Sequence, residues 1–239
     1  MINLKDVDFD YGIDRSIFRK LNVEMFSGHI YGLLGKNGAG KTTLLKIMSG
    51  LLSIVNGKIT TLGFSPKERK VEMLQNIYFL PEEPYTPALT IKNFVKVYAP
   101  FYPNFSREQF DDYLKQFEIE SSNEKLQRMS HGEKKKVLIS FGLATNTKLF
   151  ILDEPTNGLD IPSKAVFRKI MASAVDASRL IIISTHQVRD LHSLIDTVII
   201  LDGGAILLNN SVEEVNPDLE QLFNDTIANK QKAAETSTI

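Results

Sequence analysis

Residues Gly35 to Thr42 read G-K-N-G-A-G-K-T, and further along the chain Leu149 to Glu154 read L-F-I-L-D-E. The first stretch fits the phosphate-loop pattern, whose glycines let successive backbone N–H groups turn inward around phosphate oxygens where a side chain would obstruct them. Gly35, Asn37, Gly38, Ala39 and Gly40 make up that cradle, and Lys41 adds a point charge on the outer phosphates. Thr42 places a hydroxyl where it can ligate Mg2+, and Thr43 follows it into a helix whose N-terminus favours an anion. Ile30 to Leu34 supply a strand before the loop and Thr43 to Met48 an apolar-periodic helix after it, the context the motif requires. In the second stretch an apolar run ends in two carboxylates. A parallel strand covered on both faces reads this way, and its C-terminal end is where open α/β sheets place their ligands. Asp153 then holds the metal and Glu154 faces the attacking water. The plainer alternatives are an ordinary strand-to-helix turn and a buried strand ending in solvated acids. The two motifs together favour a site for a nucleoside triphosphate and its magnesium.

Composition narrows the class. A chain of 239 residues is large enough for one substantial core, one domain with a subdomain rather than two independent units. An apolar fraction of 43% and a charged fraction of 24% are ordinary for a soluble globular protein. Net charge is −1 and the pI about 6.4, so the basic footprint of a nucleic-acid binder is missing and no nucleic-acid partner is expected. With no cysteine there are no disulfides or zinc-thiolate sites, which is compatible with a reducing cytoplasm. Met1 leads straight into a strand-like I-N-L-K-D-V without a signal pattern, and apolar runs such as Leu180 to Ile183 fall far short of the roughly 20 residues that span a bilayer. Work at a membrane would need another chain to do the spanning.

The pattern along the chain gives an α/β fold: a P-loop NTPase core with an antiparallel β portion and an inserted helical subdomain. Residues 2–34 alternate apolar runs with turn signals, and Asn56-Gly57 reads as a hairpin dipeptide among short strands over 51–80. Prolines punctuate Pro84 to Pro103, and apolar residues then fall at helical spacing to about Thr147. Strand and helix signals alternate afterwards: Leu149 to Leu152, a helix from about Ser163 to Val175, Leu180 to Ser184, a helix to about Leu194, and Val198 to Leu201. The expected division is a single domain over 1–239, with 1–83 and 149–210 as nucleotide-binding core and 84–148 as helical subdomain. Residues 211–239 then form a packed C-terminal helix and a polar tail, disordered from about Asn229.

Three further motifs stand in a fixed order around the acidic strand. M-S-H-G-E, Met129 to Glu133, opens a helix before it; P-T-N-G-L-D, Pro155 to Asp160, follows it; Ser184-Thr185-His186 ends the next strand. This order resembles the ATP-binding subunits of ABC transporters, from Tyr11 to about Leu208. The resemblance implies that Tyr11, in F-D-Y-G, stacks on adenine, that Met129 to Glu133 is the signature, and that Glu154 is the general base. It likewise implies that Asp160 is the D-loop aspartate and that His186 is the switch histidine on the γ-phosphate. Glu82, after Pro81, stands where the family often has glutamine, and a carboxylate there can still ligate magnesium. In the signature, His131 replaces the first glycine and Glu133 the glutamine.

Other readings of the same residues stay open. Tyr11 fits a turn or core tyrosine, and a lone histidine such as His186 is commonly just a satisfied one. Ser130 and Glu133 are spaced as a capping box, a purely structural reason for both. His29, His131 and His192 match no catalytic position, and Lys134 to Lys136 read as a solvated face.

In the resembling family each site is closed by the signature of a second copy. The resemblance therefore implies an ATPase subunit that dimerises on ATP with itself or a paralogue, Ser130 and Gly132 reaching the γ-phosphate in the opposite chain. It implies integral membrane subunits docked on the helical insertion near Glu82, a peripheral place on the cytoplasmic face, and ATP and Mg2+ as ligands. The F-L-P-E-E-P stretch, Phe79 to Pro84, and the lack of an added C-terminal domain lean toward an exporter. The rivals are a soluble ATP-driven switch of the same superfamily, which usually carries tandem halves, coiled coils or zinc cysteines, and a P-loop phosphotransferase, which has no use for Met129 to Glu133 or Asp160.

Overall fold

A computed structural model describes residues 1–12, 15–120, 123–191, 193–215 and 218–236, and of Asp190 and residues 231–236 the backbone only. His192 and the end of the polar tail lie outside the described residues.

The chain opens with β1 (Ile2–Asp10), β2 (Ser16–Met25) and β3 (His29–Leu34), then α1 (Lys41–Met48) and β4 (Asn56–Thr61). A short turn of helix α2 (Val71–Leu74) leads into β5 (Ile77–Leu80), followed by α3 (Ile91–Tyr98), α4 (Arg107–Gln116) and α5 (His131–Ala144). The chain then runs β6 (Leu149–Asp153), α6 (Ile161–Ala174), β7 (Leu180–Thr185), β8 (Thr197–Asp202), β9 (Ala205–Ser211) and α7 (Leu219–Thr236). Strands β2-β1-β4 form an antiparallel sheet. The larger sheet has the order β5-β6-β7-β3-β8-β9 and is parallel except for β9.

Period-2 alternation in the parallel strands divides the interior into two apolar layers. Ile30 and Leu34, Phe150 and Leu152, and Ile181 and Ile183 face a layer shared with the helical segment, α6 and α7. Tyr31 and Leu33, Leu149 and Ile151, and Leu180 and Ile182 face the layer shared with α1 and the antiparallel sheet. Both faces are covered, which is why these strands read as unbroken hydrophobic runs. In the helical segment, Phe141 of α5 gathers Phe94, Tyr102, Phe105 and Phe110 around it at ring spacings of 4.9–6.2 Å.

Three local expectations give way. Asn56-Gly57 does not turn a hairpin: it begins β4, and Gly57, at φ +93°, lies against β1 so closely that a Cβ would stand 2.4 Å from the Asp6 carbonyl. The glycine serves a close approach instead of a turn. Between β7 and β8 the described residues form a 3-10 turn, Val188–Asp190, in place of a helix. Leu191, Leu194 and Ile195 are buried at once, and Asp196 exchanges backbone and side-chain hydrogen bonds with Ile30, so the chain has little length left to wind. Finally, α7 runs to Thr236, past Asn229, with Ile227 buried and the Lys230 ammonium donating to the Asp202 carbonyl and carboxylate at 2.8 Å. Among the described residues no helix is long and apolar enough to cross a membrane.

Candidate active site

Strand order decides what meets. β7 lies between β3, which feeds the phosphate loop, and β6, which ends in the carboxylates. Its C-terminal residues are in register with both, Thr185 beside Leu34 and Ser184 beside Asp153. The three strand ends therefore deliver their loops to one edge of the sheet, as open α/β sheets do.

A cleft of about 310 Å3 opens there, lined by Tyr11, Asn37, Gly38, Gly40, Lys41, Thr42, Thr43, Glu82, Asp153 and Glu154. Gly40, at φ +106°, is the residue before α1, and a Cβ on it would touch the Phe18 ring at 3.0 Å. Only glycine turns the loop into the helix at this point. The Lys41 ammonium is buried, donates 2.8 Å to the Gly35 carbonyl and 3.3 Å to the Lys36 carbonyl, and lies 3.6 Å from the Glu154 carboxylate. Ala39 is packed beneath the loop.

The carboxylates are wired differently. The hydroxyls of Thr42 and Ser184 donate to the two oxygens of Asp153, at 2.7 and 2.5 Å, and fix its orientation. Glu154 is 4% exposed and sits at φ +47°, a left-handed conformation that a non-glycine residue adopts only when its surroundings hold it there. Its N–H donates to the Ser184 carbonyl and hydroxyl, its Oε1 pairs with His186 Nδ1 at 2.8 Å, and its Oε2 is buried with no hydrogen-bond partner among the described residues. A carboxyl oxygen kept dry and unpaired costs free energy unless a donor arrives from the cleft. For Mg2+ the donors at hand are the Thr42 hydroxyl and the Asp153 carboxylate. No cluster of three or more His, Cys, Asp or Glu poised for a metal occurs among the described residues, so an ion held by Thr42 and Asp153 would take its remaining ligands from phosphate oxygens and water. The donor set fits a magnesium nucleotide.

Tyr11 stands at the rim, 42% exposed, with its hydroxyl 3.3 Å from Thr43 Oγ1 and its ring edge on Phe9. Glu82 is exposed and accepts a hydrogen bond from Asn157 Nδ2 at 2.9 Å. His186 reaches Glu154 from beside the cleft and is not among its lining residues, and Ser130, Gly132 and Asp160 lie outside it. Ser130 and Glu133 close a full capping box on α5, the Ser130 hydroxyl accepting from the Glu133 N–H at 3.2 Å and the Glu133 carboxylate from the Ser130 N–H at 2.9 Å. Those bonds hold the Glu133 carboxyl below the usual carboxylate range. Gly132 packs on the loop after β6, and a Cβ there would be 3.0 Å from the Gly158 carbonyl. Asp160 is the N-cap of α6, its carboxylate accepting from the Ser163 N–H at 2.9 Å, and hydrogen bonding to the Ser163 side chain and N–H lowers its pKa.

Several residues at the site escape sequence reasoning. Arg15 lines the cleft with its guanidinium 5.8 Å from the Tyr11 ring centre. Ser184 was legible only as the end of a strand, although its register beside Asp153 is a signal once the strand order is known. Lys135 corrects the reading of residues 134–136 as a solvated face: it is fully buried, and its ammonium donates to the carbonyls of Glu154, at 3.0 Å, and Asn157, at 2.9 Å. Burial pushes its pKa down, against the pull of Glu82, Glu154 and Asp153.

Residues 18–157 match the family model described as ABC transporter. The chain is 31% identical to the putative ABC transporter ATP-binding protein AlbC of Bacillus subtilis, over 96% of this chain and 99% of that one. It is 30% identical to the lantibiotic transport ATP-binding protein SrtF of Streptococcus pyogenes, over 95% and 97%. Among solved structures it resembles a dimeric ATP-binding cassette in a post-hydrolysis state bound to ADP and Pi, with a TM-score of 0.78 at 20% identity over 89% of this chain and 99% of that one. The chain belongs to the ABC transporter family, and within it this is an ATP-binding, ATP-hydrolysing subunit.

Proposed function

We propose that ATP binds with its adenine on Tyr11 beside Arg15 and its phosphates in the loop of Gly35 to Thr43, and that two copies, or this chain and a paralogue, close around two nucleotides. Lys41 carries the outer phosphates. Thr42 and Asp153 would hold Mg2+, with Glu82 in reach of its water shell; the ion, when bound, offsets phosphate charge. Glu154 orients and deprotonates the attacking water, and His186, bonded to Glu154, contacts the γ-phosphate. Ser130, Gly132 and Asp160 act on the nucleotide of the opposite chain. The observation that carries this reading is the split between the two sets: the phosphate loop, Asp153 and the unpaired Glu154 oxygen share one cleft, while Ser130, His131 and Glu133 of the signature are exposed outside it. One chain thus presents half of a site.

Closing and opening of the dimer would drive membrane subunits, which place this chain at the cytoplasmic face. The surface offered to them is a groove of about 460 Å3 between core and helical segment, where Leu51, Val71 and Phe101 are at least half exposed. The division into core 1–83 and 149–210, helical subdomain 84–148 and C-terminal helix follows the same reading. A relative named for Nod factor export, together with the F-L-P-E-E-P stretch, favours export. Glu154→Gln tests the chemistry: turnover is expected to fall by about 10²–10⁴, with ATP still bound and a long-lived dimer visible by light scattering. Wild-type turnover in this variant removes Glu154 from the catalytic role.

A further inference from the structure

Lys135 is an expensive residue to bury. Its side chain is entirely enclosed, a lysine whose ammonium faces two main-chain carbonyls and, among the described residues, no carboxylate within ion-pair distance. Those two carbonyls belong to Glu154 and Asn157, the first and last residues of the tight turn that follows β6. The same turn closes on itself through the Asn157 N–H and the Glu154 carbonyl at 3.3 Å, and Asn157 also holds Glu82.

From the other side, Ser184 takes the Glu154 N–H. The peptide units flanking Glu154 are therefore gripped at both ends, N–H by β7 and C=O by Lys135, while its φ of +47° is one that free backbone leaves readily. A left-handed residue at this position turns its side chain away from the line of the strand and toward the cleft. Lys135 rides on α5, whose N-terminal turn is the Ser130 capping box, so the grip comes from the helix that carries the signature.

We infer that Lys135 is a positioning residue for Glu154: its ammonium fixes the Glu154 and Asn157 carbonyls, holds Glu154 in its left-handed conformation, and ties the aim of that carboxylate to the placement of the signature helix. This rests on the reading of Glu154 as the catalytic base. It does not require Lys135 to touch nucleotide, and Lys135 is absent from the lining of the cleft.

The test compares Lys135→Met and Lys135→Gln in the full chain, with Glu154→Gln alongside. Methionine keeps the apolar stem and removes both hydrogen bonds; glutamine keeps an N–H donor on a stem one bond shorter. ATP affinity, melting temperature, KM and kcat are measured for each. The expected result is a kcat about tenfold to a hundredfold lower in Lys135→Met, the scale of a catalytic group displaced by about 1 Å, with KM and ATP affinity within about twofold of wild type. Lys135→Gln is expected to recover part of that loss. A purely structural lysine would lower melting temperature and active fraction without this split and without recovery. If Lys135→Met does not fold, Lys135→Gln decides: a reduced kcat at unchanged KM supports the inference, and a wild-type kcat overturns it, because a shorter amide cannot span both carbonyls. A wild-type kcat in folded Lys135→Met overturns it too. If Glu154→Gln itself turns over normally, the failure lies with the reading of Glu154 and not with Lys135.

Discussion

The phosphate end of the site and the signature segment satisfy their polar groups in opposite ways. At the phosphate end, Asp153 is held by hydroxyls from α1 and β7, Lys41 by loop carbonyls, and Glu154 from both its neighbours, with one carboxylate oxygen left over. At the signature, Ser130 and Glu133 answer each other and nothing else is needed. The first region is assembled from segments far apart in sequence, and its hydrogen bonds come from those segments, the arrangement that electrostatic preorganisation requires. The second spends its donors and acceptors locally and must open the box to do anything further. On the proposed reading, the end braced by distant segments is where chemistry occurs, and the end that closes on itself is where a second chain arrives.

The largest expected effect that sharpens this contrast is at Ser184. Ser184→Ala removes the hydroxyl donor of one Asp153 oxygen in a dry environment, while the Glu154 N–H keeps the Ser184 carbonyl, and stability is expected to fall by about 1.5–3 kcal/mol, the scale for hydrogen bonds to charged groups. Chemical denaturation reads it, and turnover should drop with it; unchanged stability would mean that the phosphate end is not preorganised through β7. Tyr11→Ala should weaken ATP binding by about 1–3 kcal/mol with folding unaffected, because the ring is exposed and carries little of the core. Equal affinity by calorimetry would return Tyr11 to a simple rim aromatic.

Ser130→Ala is expected to cost about 0.5–2 kcal/mol of stability as a lost N-cap, and in a Glu154→Gln background to weaken ATP-dependent dimerisation as well. Loss of stability without loss of dimerisation would make the box purely structural and break the contrast. The smallest effect belongs to Glu133→Gln. Because bonds to Ser130 lower the folded-state pKa of Glu133, its stabilising share is present above the ordinary glutamate value and fades as pH falls through the lower folded value. The variant should therefore melt slightly lower at neutral pH and lose that part of the acid-side slope. It should also dimerise more strongly on ATP at low salt, since a carboxylate at the helix end opposes an incoming anion. Dimerisation unchanged or weaker would confine Glu133 to its cap.

The sequence by itself determined what is contiguous. A phosphate loop, an apolar run ending in Asp153 and Glu154, and the capping spacing of Ser130 and Glu133 each lie within a few residues, where backbone geometry ties spacing to contact. The doubly buried strands showed in their unbroken apolar runs for the same reason. What only the tertiary structure decided lies in contacts between distant segments. Gly57 looks like a turn until β1 is laid against it, and Ser184 is an ordinary strand end until β7 is placed between β3 and β6. Lys134, Lys135 and Lys136 are the same residue three times. Which of them is buried depends on which face of α5 the turn after β6 covers, a fact that belongs to packing and leaves no mark in the lysines themselves.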